Sequence, residues 1–183
     1  MLLTAWFAAA SGWRPLATVL AAAAVHELGH LAVLRLLGGR AMGLYLSALG
    51  AVLEVDSARL SYGGELAAVL AGPGANLLCA AALAALEGEY HTFIGANLVL
   101  CVFNLLPIRP LDGGRALELL VSWLAGPGTG DFAAQWVGSA CAVGLGAFLT
   151  WLMYRAGGNL WLIPPVVGLV RWALPGAVRV GRA

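Results

Sequence analysis

The sequence predicts an all-α polytopic membrane protein of about six transmembrane helices. A small membrane-associated β-hairpin is expected after the second, and the whole, 1–183, reads as one domain. Three observations predict this. Hydrophobic residues make up 61% of the 183 residues and charged ones only 10%, against roughly 45–50% and about 25% in soluble domains; mean hydropathy is +0.88. Several apolar runs reach the 17–25 residues or so needed to cross a bilayer. One of them carries the polar cluster His26-Glu27-Leu28-Gly29-His30 with Arg35 as its only other charge, and ionisable groups at membrane depth are costly enough to mark function.

In chain order, the first apolar stretch, about 2–12, is short and ends at Ser11-Gly12-Trp13-Arg14-Pro15. Pro15 suits the first turn of the next helix, so a full span is expected at 16–37, stopped by Gly38-Gly39. The following stretch carries Glu54, Asp56 and Arg59 and does not read as a span. From Gly43 to Asp56 it alternates partially, with Gly50 as a turn, which predicts a hairpin over about 40–56. A second clear span covers 65–86, interrupted at Gly72-Pro73-Gly74-Ala75-Asn76. Asn76 there could satisfy backbone groups freed by the break. A shorter span follows at 92–106 and runs into Pro107-Ile108-Arg109-Pro110-Leu111-Asp112-Gly113-Gly114-Arg115. A short interfacial helix is expected at 116–124, a loop at 126–130, and spans at 132–154 and 159–174, the last bent at Pro164-Pro165. Trp13, Trp123 and Trp172 fall near proposed span ends, as in an aromatic belt.

All ten basic residues are arginine. With six spans and a cytoplasmic N-terminus, eight of them face the cytoplasm (Arg35, Arg40, Arg59, Arg109, Arg115, Arg171, Arg179 and Arg182), against Arg14 and Arg155 outside. The same topology puts the His26–His30 motif and Asp112 toward the cytoplasmic side, although neither entered the count. The net charge of +1 gives no sign of a nucleic-acid partner. Cys79, Cys101 and Cys141 stand alone in apolar runs and read as small buried hydrophobes. The N-terminus has no basic n-region and no convincing cleavage site, so no signal peptide is expected.

His26 and His30 are four residues apart, so on a helix they share one face, and two imidazoles so placed can reach one zinc ion. Glu27 beside them is positioned to act on water. The bland alternative is a histidine pair hydrogen-bonded within a bundle, with Glu27 paired to an arginine. A catalytic zinc takes three protein ligands. His91 falls on the wrong side in this topology, which leaves carboxylates: Glu54, Asp56, Glu65 or Asp112. Asp112 lies between Pro110-Leu111 and Gly113-Gly114, where the chain can turn tightly beside a metal. It could equally cap the helix that follows.

The pairing of His26-Glu27-Leu28-Gly29-His30 in one span with Asn104-Leu105-Leu106-Pro107-Ile108-Arg109-Pro110-Leu111-Asp112-Gly113-Gly114 in a later one resembles the site-2 protease family of intramembrane zinc metalloproteases. Ala71-Gly72-Pro73 and His91-Thr92-Phe93 fit its stage IV sporulation protein FB group. The resemblance covers nearly the whole chain. It implies that His26, His30 and Asp112 bind Zn2+ and that Glu27 is the catalytic base. It also implies that Asn104 lies near the bound substrate backbone and that 40–56 forms a membrane-embedded hairpin. The partners it implies are membrane lipid, a membrane-tethered protein substrate such as a pro-sigma factor, and an inhibitory membrane protein. Members of that group usually carry C-terminal CBS motifs; the chain ends soon after its last expected span, so nucleotide control within it is not expected.

The expected reaction is peptide hydrolysis in or near a transmembrane segment. Asn104, and less directly Asn76, are candidates for binding substrate or stabilising the oxyanion; either could instead be a packing amide. The competing reading is a catalytically silent membrane module that binds or transports metal. A transporter would often show inverted repeats and midplane ligands, and a silent homologue should lack the base that Glu27 supplies.

Overall fold

The computed structural model describes residues 12–38, 60–86, 88 and 90–155, and the backbone of 40–47 and 50–56. These fall into two compact units divided between Leu105 and Leu106. The first contains helix α1 (Trp13–Leu36), strands β1 (Arg40–Ser47) and β2 (Gly50–Asp56), and helices α2 (Tyr62–Ala84) and α3 (His91–Asn104). The second contains α4 (Asp112–Ala125) and α5 (Pro127–Arg155).

Helix α1 starts three residues before the expected 16. The first four N–H groups of a helix have no internal partner, so Pro15 loses nothing there. Gly29 in its third quarter lets α2 approach closely. A Cβ at that position would lie 2.6 Å from the Ala75 Cβ and 2.5 Å from the Ala71 carbonyl oxygen, too close for either to stay in place. Helix α2 begins at Ser61, whose Oγ accepts from the Gly64 N–H at 3.2 Å, with Glu65 in the first turn facing the positive end of the helix. The expected interruption at 72–76 does not occur. Helix α2 runs unbroken through Pro73, although proline leaves the carbonyl four residues earlier without its helical partner.

Strands β1 and β2 pair antiparallel from Arg40↔Asp56 to Ser47↔Gly50. Gly50, expected as the turn, opens β2 instead. Met42 is an extra residue between the pairs Ala41↔Val55 and Gly43↔Glu54, a bulge that bends the strand locally.

Helix α3 has 14 residues, rising about 21 Å. That is shorter than the roughly 30 Å hydrocarbon core, in keeping with 92–106 being the shorter span expected. In the second unit, the helix expected at 116–124 begins four residues earlier, at Asp112, and the expected loop at 126–130 shrinks to a single residue. Gly126, at φ 91°, breaks the chain and α5 starts at Pro127. Among the described residues three helices, α1, α2 and α5, are long and apolar enough to cross a membrane. The expected span at 159–174, and residues 2–11 of the first, lie outside the described residues.

Burial runs opposite to that of a water-soluble core. The buried residues of α5 are Gly130, Ala134, Gly138, Ala142 and Gly146, one small residue per turn. Large apolar side chains point outward: Leu78 is 73% exposed, Val99 68% and Trp136 63%. Small residues inside and bulky ones outside suit a solvent of lipid tails, where helices associate by close backbone approach rather than by hiding leucines. The chain is an integral membrane protein.

Candidate metal centre

His26 and His30 sit on α1, one turn apart. Their rings meet edge to face, 83° between planes, with centroids 4.7 Å apart. The two Nε2 atoms are 3.1 Å apart. What each ring offers at Nε2 is decided at its other nitrogen. His30 Nδ1 lies 2.8 Å from the Ala68 carbonyl oxygen on α2. A carbonyl can only accept, so Nδ1 carries the proton and donates. His26 Nδ1 lies 2.7 Å from Asn76 Oδ1. The Asn76 amide nitrogen donates to the Ala22 carbonyl at 2.9 Å and to Asn97 Oδ1 at 2.8 Å. Its oxygen therefore faces His26, and His26 Nδ1 donates too.

Both rings, with the proton on Nδ1, consequently turn Nε2 toward the same small volume. Two Nε2 atoms at 3.1 Å need a shared proton or a metal cation between them. Two nitrogens on one tetrahedral zinc, at about 2.0–2.1 Å from it, would be about 3.3 Å apart. Donor type, tautomer and spacing all fit a metal, and hydrogen bonds at the far ring nitrogens are the usual way a protein orients such ligands.

Helix α2 leaves the room. Gly72 faces the pair, and a Cβ there would lie 2.6 Å from His30 Cε1 and 2.8 Å from His26 Nε2. The space into which both lone pairs point is thus the space a side chain at 72 would fill. Glu27, the next residue after His26, is half-buried.

Asp112 belongs to the second unit. It is the first residue of α4 and not its cap: Leu111, in extended conformation (φ −71°, ψ 159°), holds the cap position without a side-chain bond. A carboxylate in the first turn is favoured as the anion by the helix dipole. The segment before it is fastened from both sides. Arg109 pairs with Glu118 of α4 at 2.7 Å and with Asp131 of α5 at 2.9 Å, and Ile108 is buried. A Cβ at Gly114 would lie 2.6 Å from the Ile108 carbonyl carbon, so the loop lies directly against the start of α4. The ion pairs are partly exposed and contribute only about 0–1 kcal/mol each; what they supply is the placement of the loop that delivers Asp112.

Of the other carboxylates considered as ligands, Glu65 is in the first turn of α2, and Glu54 and Asp56 are on β2. His91 is exposed at the start of α3. Asn76 is wholly buried, with both ends of its amide engaged, so it orients His26 and is not presented to substrate. Asn104, the last residue of α3, donates from its amide nitrogen to the Leu100 carbonyl of its own turn at 3.0 Å, not across the bundle. Asn97 also bonds across helices, accepting from Asn76; its sequence signal is a lone polar residue inside an apolar run. In the sequence Gly72 stands in a helix-breaking stretch and in the motif Ala71-Gly72-Pro73, neither of which signals space beside the histidines.

No family model matches the chain. It is 31% identical over 130 residues to the stage IV sporulation protein FB of Bacillus subtilis (strain 168), covering 64% of this chain and 45% of that protein. It is also 31% identical over 108 residues to a zinc metalloprotease of Methanocaldococcus jannaschii, covering 54% of this chain and 31% of that protein. The chain thus spans less than half the length of the curated relatives it matches. The solved structure of the site-2 protease from Methanocaldococcus jannaschii matches with a TM-score of 0.69 at 21% identity, over 100% of this chain and 87% of that one. The chain is similar to proteins of the site-2 protease family. The site-2 protease fold extends over all of it, and the family's two sequence signatures sit where the geometry has just been described: the histidine pair on α1 and Asp112 at the head of α4.

Proposed function

We propose that the chain is an intramembrane zinc metalloendopeptidase that hydrolyses a peptide bond in or near a transmembrane segment of a membrane-tethered protein. The observation that carries this is the convergence of two Nδ1-protonated imidazoles at 3.1 Å, with Glu27 adjoining. His26 and His30 hold the metal, with Asp112 as the third ligand. When bound, zinc supplies a Lewis acid for the scissile carbonyl and makes water acidic enough to attack near neutral pH. Glu27 takes the proton from the attacking water and passes it to the leaving amine. Asn104 holds the substrate backbone: one N–H of its amide is bonded to the Leu100 carbonyl, which fixes the amide and leaves its oxygen to accept from a substrate N–H. Support comes also from the names of the two relatives, one a zinc metalloprotease and one a sporulation protein. A pro-sigma factor or another membrane-tethered regulator is the substrate class we favour, and an inhibitory membrane partner is consistent with such a role.

The test is zinc analysis of the purified protein together with cleavage of a single-span substrate. Wild type should carry one zinc and cleave, and chelation should stop cleavage. Asp112→Ala and His30→Ala should each lose both, because two ligands are too few for a stable catalytic site. Stoichiometric zinc in Asp112→Ala would reduce Asp112 to a residue of the helix start.

We further propose six spans with the hairpin lying against the membrane, both termini in the cytoplasm and the metal centre on the cytoplasmic side. The arginine distribution supports this orientation. In a background without the three native cysteines, a cysteine replacing Glu89 should react with an impermeant thiol reagent added outside, and one replacing Arg182 should not. The reverse pattern would overturn the orientation, and labelling of both would overturn the span count.

A further inference from the structure

We propose that Asn97 is a positioning residue for the metal centre: it locks the amide of Asn76 and, through it, the tautomer of His26. The inference rests on His26 and His30 being metal ligands. Nothing about Asn97 touches the metal position directly. It lies on α3, wholly buried, as Asn76 does on α2.

The polarity of the chain of hydrogen bonds is set by groups that have no choice. The Phe93 carbonyl can only accept, and Asn97 Nδ2 donates to it at 2.9 Å. Asn97 must then turn its oxygen the other way, toward Asn76 Nδ2 at 2.8 Å. Asn76 must in turn direct its oxygen to His26 Nδ1 at 2.7 Å. That keeps the proton on Nδ1 and the lone pair on Nε2. A flipped Asn76 would present its NH2 to Nδ1. The proton would move to Nε2, and His26 could no longer bind a metal through that nitrogen. Two acceptors oppose the flip. One is the Ala22 carbonyl, 2.9 Å from Asn76 Nδ2, which as an interior helix carbonyl also serves the backbone ladder. The other is Asn97. At full burial no water replaces an acceptor that is taken away, so removing Asn97 leaves the amide held from one side only.

The experiment uses the full chain in detergent and reads cobalt(II) affinity from the ligand-field absorption, with zinc as competitor. Asn97→Leu keeps the size and removes the acceptor. Asn97→Asp keeps an oxygen toward Asn76, and its buried carboxyl, protonated, can still donate to the Phe93 carbonyl. Asn97→Leu should bind metal about 10–100-fold more weakly than wild type, the usual cost of removing an outer-shell partner. Asn97→Asp should stay close to wild type. Thermal unfolding of the metal-free proteins should show the opposite order, with Leu the more stable of the two. If Asn97→Leu does not fold, Asn97→Ala replaces it with the same expectation. Equal affinity in Leu and wild type, or equal loss in Leu and Asp, would overturn the role, because a residue that only fills space favours Leu on both measures. The underlying metal reading fails separately: it falls if wild type shows no cobalt binding that depends on His26 and His30, and this inference falls with it.

Discussion

Replacing Glu27 by glutamine should leave zinc in place and stop cleavage. Glutamine has the size and shape of glutamate, and Glu27 is none of the three proposed ligands, so metal content should remain one per chain. What disappears is the carboxylate next to His26 that is proposed to take a proton from water. A positioned base contributes on the order of 10²–10⁴ in rate, so cleavage of a single-span substrate should fall by at least that range's lower bound. The measurement pairs zinc analysis with a cleavage assay on the same preparation. Cleavage near the wild-type rate by zinc-loaded Glu27→Gln would remove Glu27 from the mechanism, whereas loss of zinc would make it a structural neighbour of the ligands.

The second large effect is expected from one methyl group. Gly72→Ala should destroy metal binding while leaving the fold intact. Alanine is favoured over glycine inside a helix by roughly 0.5–1 kcal/mol, so α2 itself gains from the change. The added Cβ, however, would lie 2.8 Å from His26 Nε2 and still closer to His30, within the volume where the two lone pairs converge. The rings must move apart, and each would then leave its partner, Asn76 for His26 and the Ala68 carbonyl for His30. We expect metal affinity to fall at least about 100-fold, the upper end of what outer-shell losses produce. Gly74→Ala supplies the control on the same helix: its Cβ would meet nothing within 4 Å, so it takes the same helix-propensity gain and should keep its metal. Equal zinc content in the two variants would show that the metal does not sit in the space facing Gly72.

The local parts of this centre can be read directly from the chain. Two histidines four apart in an apolar run share a helix face whatever surrounds them, because the period of the helix is a backbone property. Composition alone likewise demands a membrane, since so apolar a chain has nowhere else to put its leucines and tryptophans. Element boundaries were less accessible for equally local reasons. Pro15 and Pro127 are tolerated in first helical turns, and Pro73 inside α2 did not break a helix that is packed against α1.

What periodicity could not supply is what lies opposite those histidines. His30 is oriented by a carbonyl 38 residues away and His26 by an amide 50 residues away, and that amide is held by Asn97, a further 21 residues on. These partners come from two helices other than the one that carries the histidines. No local pattern pairs them, because a hydrogen bond between helices depends on how their faces meet. The same holds for Gly72. In the sequence it belongs to a glycine–proline triplet that signals a broken helix; in the folded protein its missing side chain leaves the space beside both Nε2 atoms open. The sequence by itself determined the membrane class and the identity and spacing of the chemical groups on α1. Only the tertiary structure decided which nitrogen of each histidine is held by a partner and which faces the other ring, and that the Asn76 amide is engaged by His26, Ala22 and Asn97, since tautomer and amide orientation are properties of the partners and not of the residue.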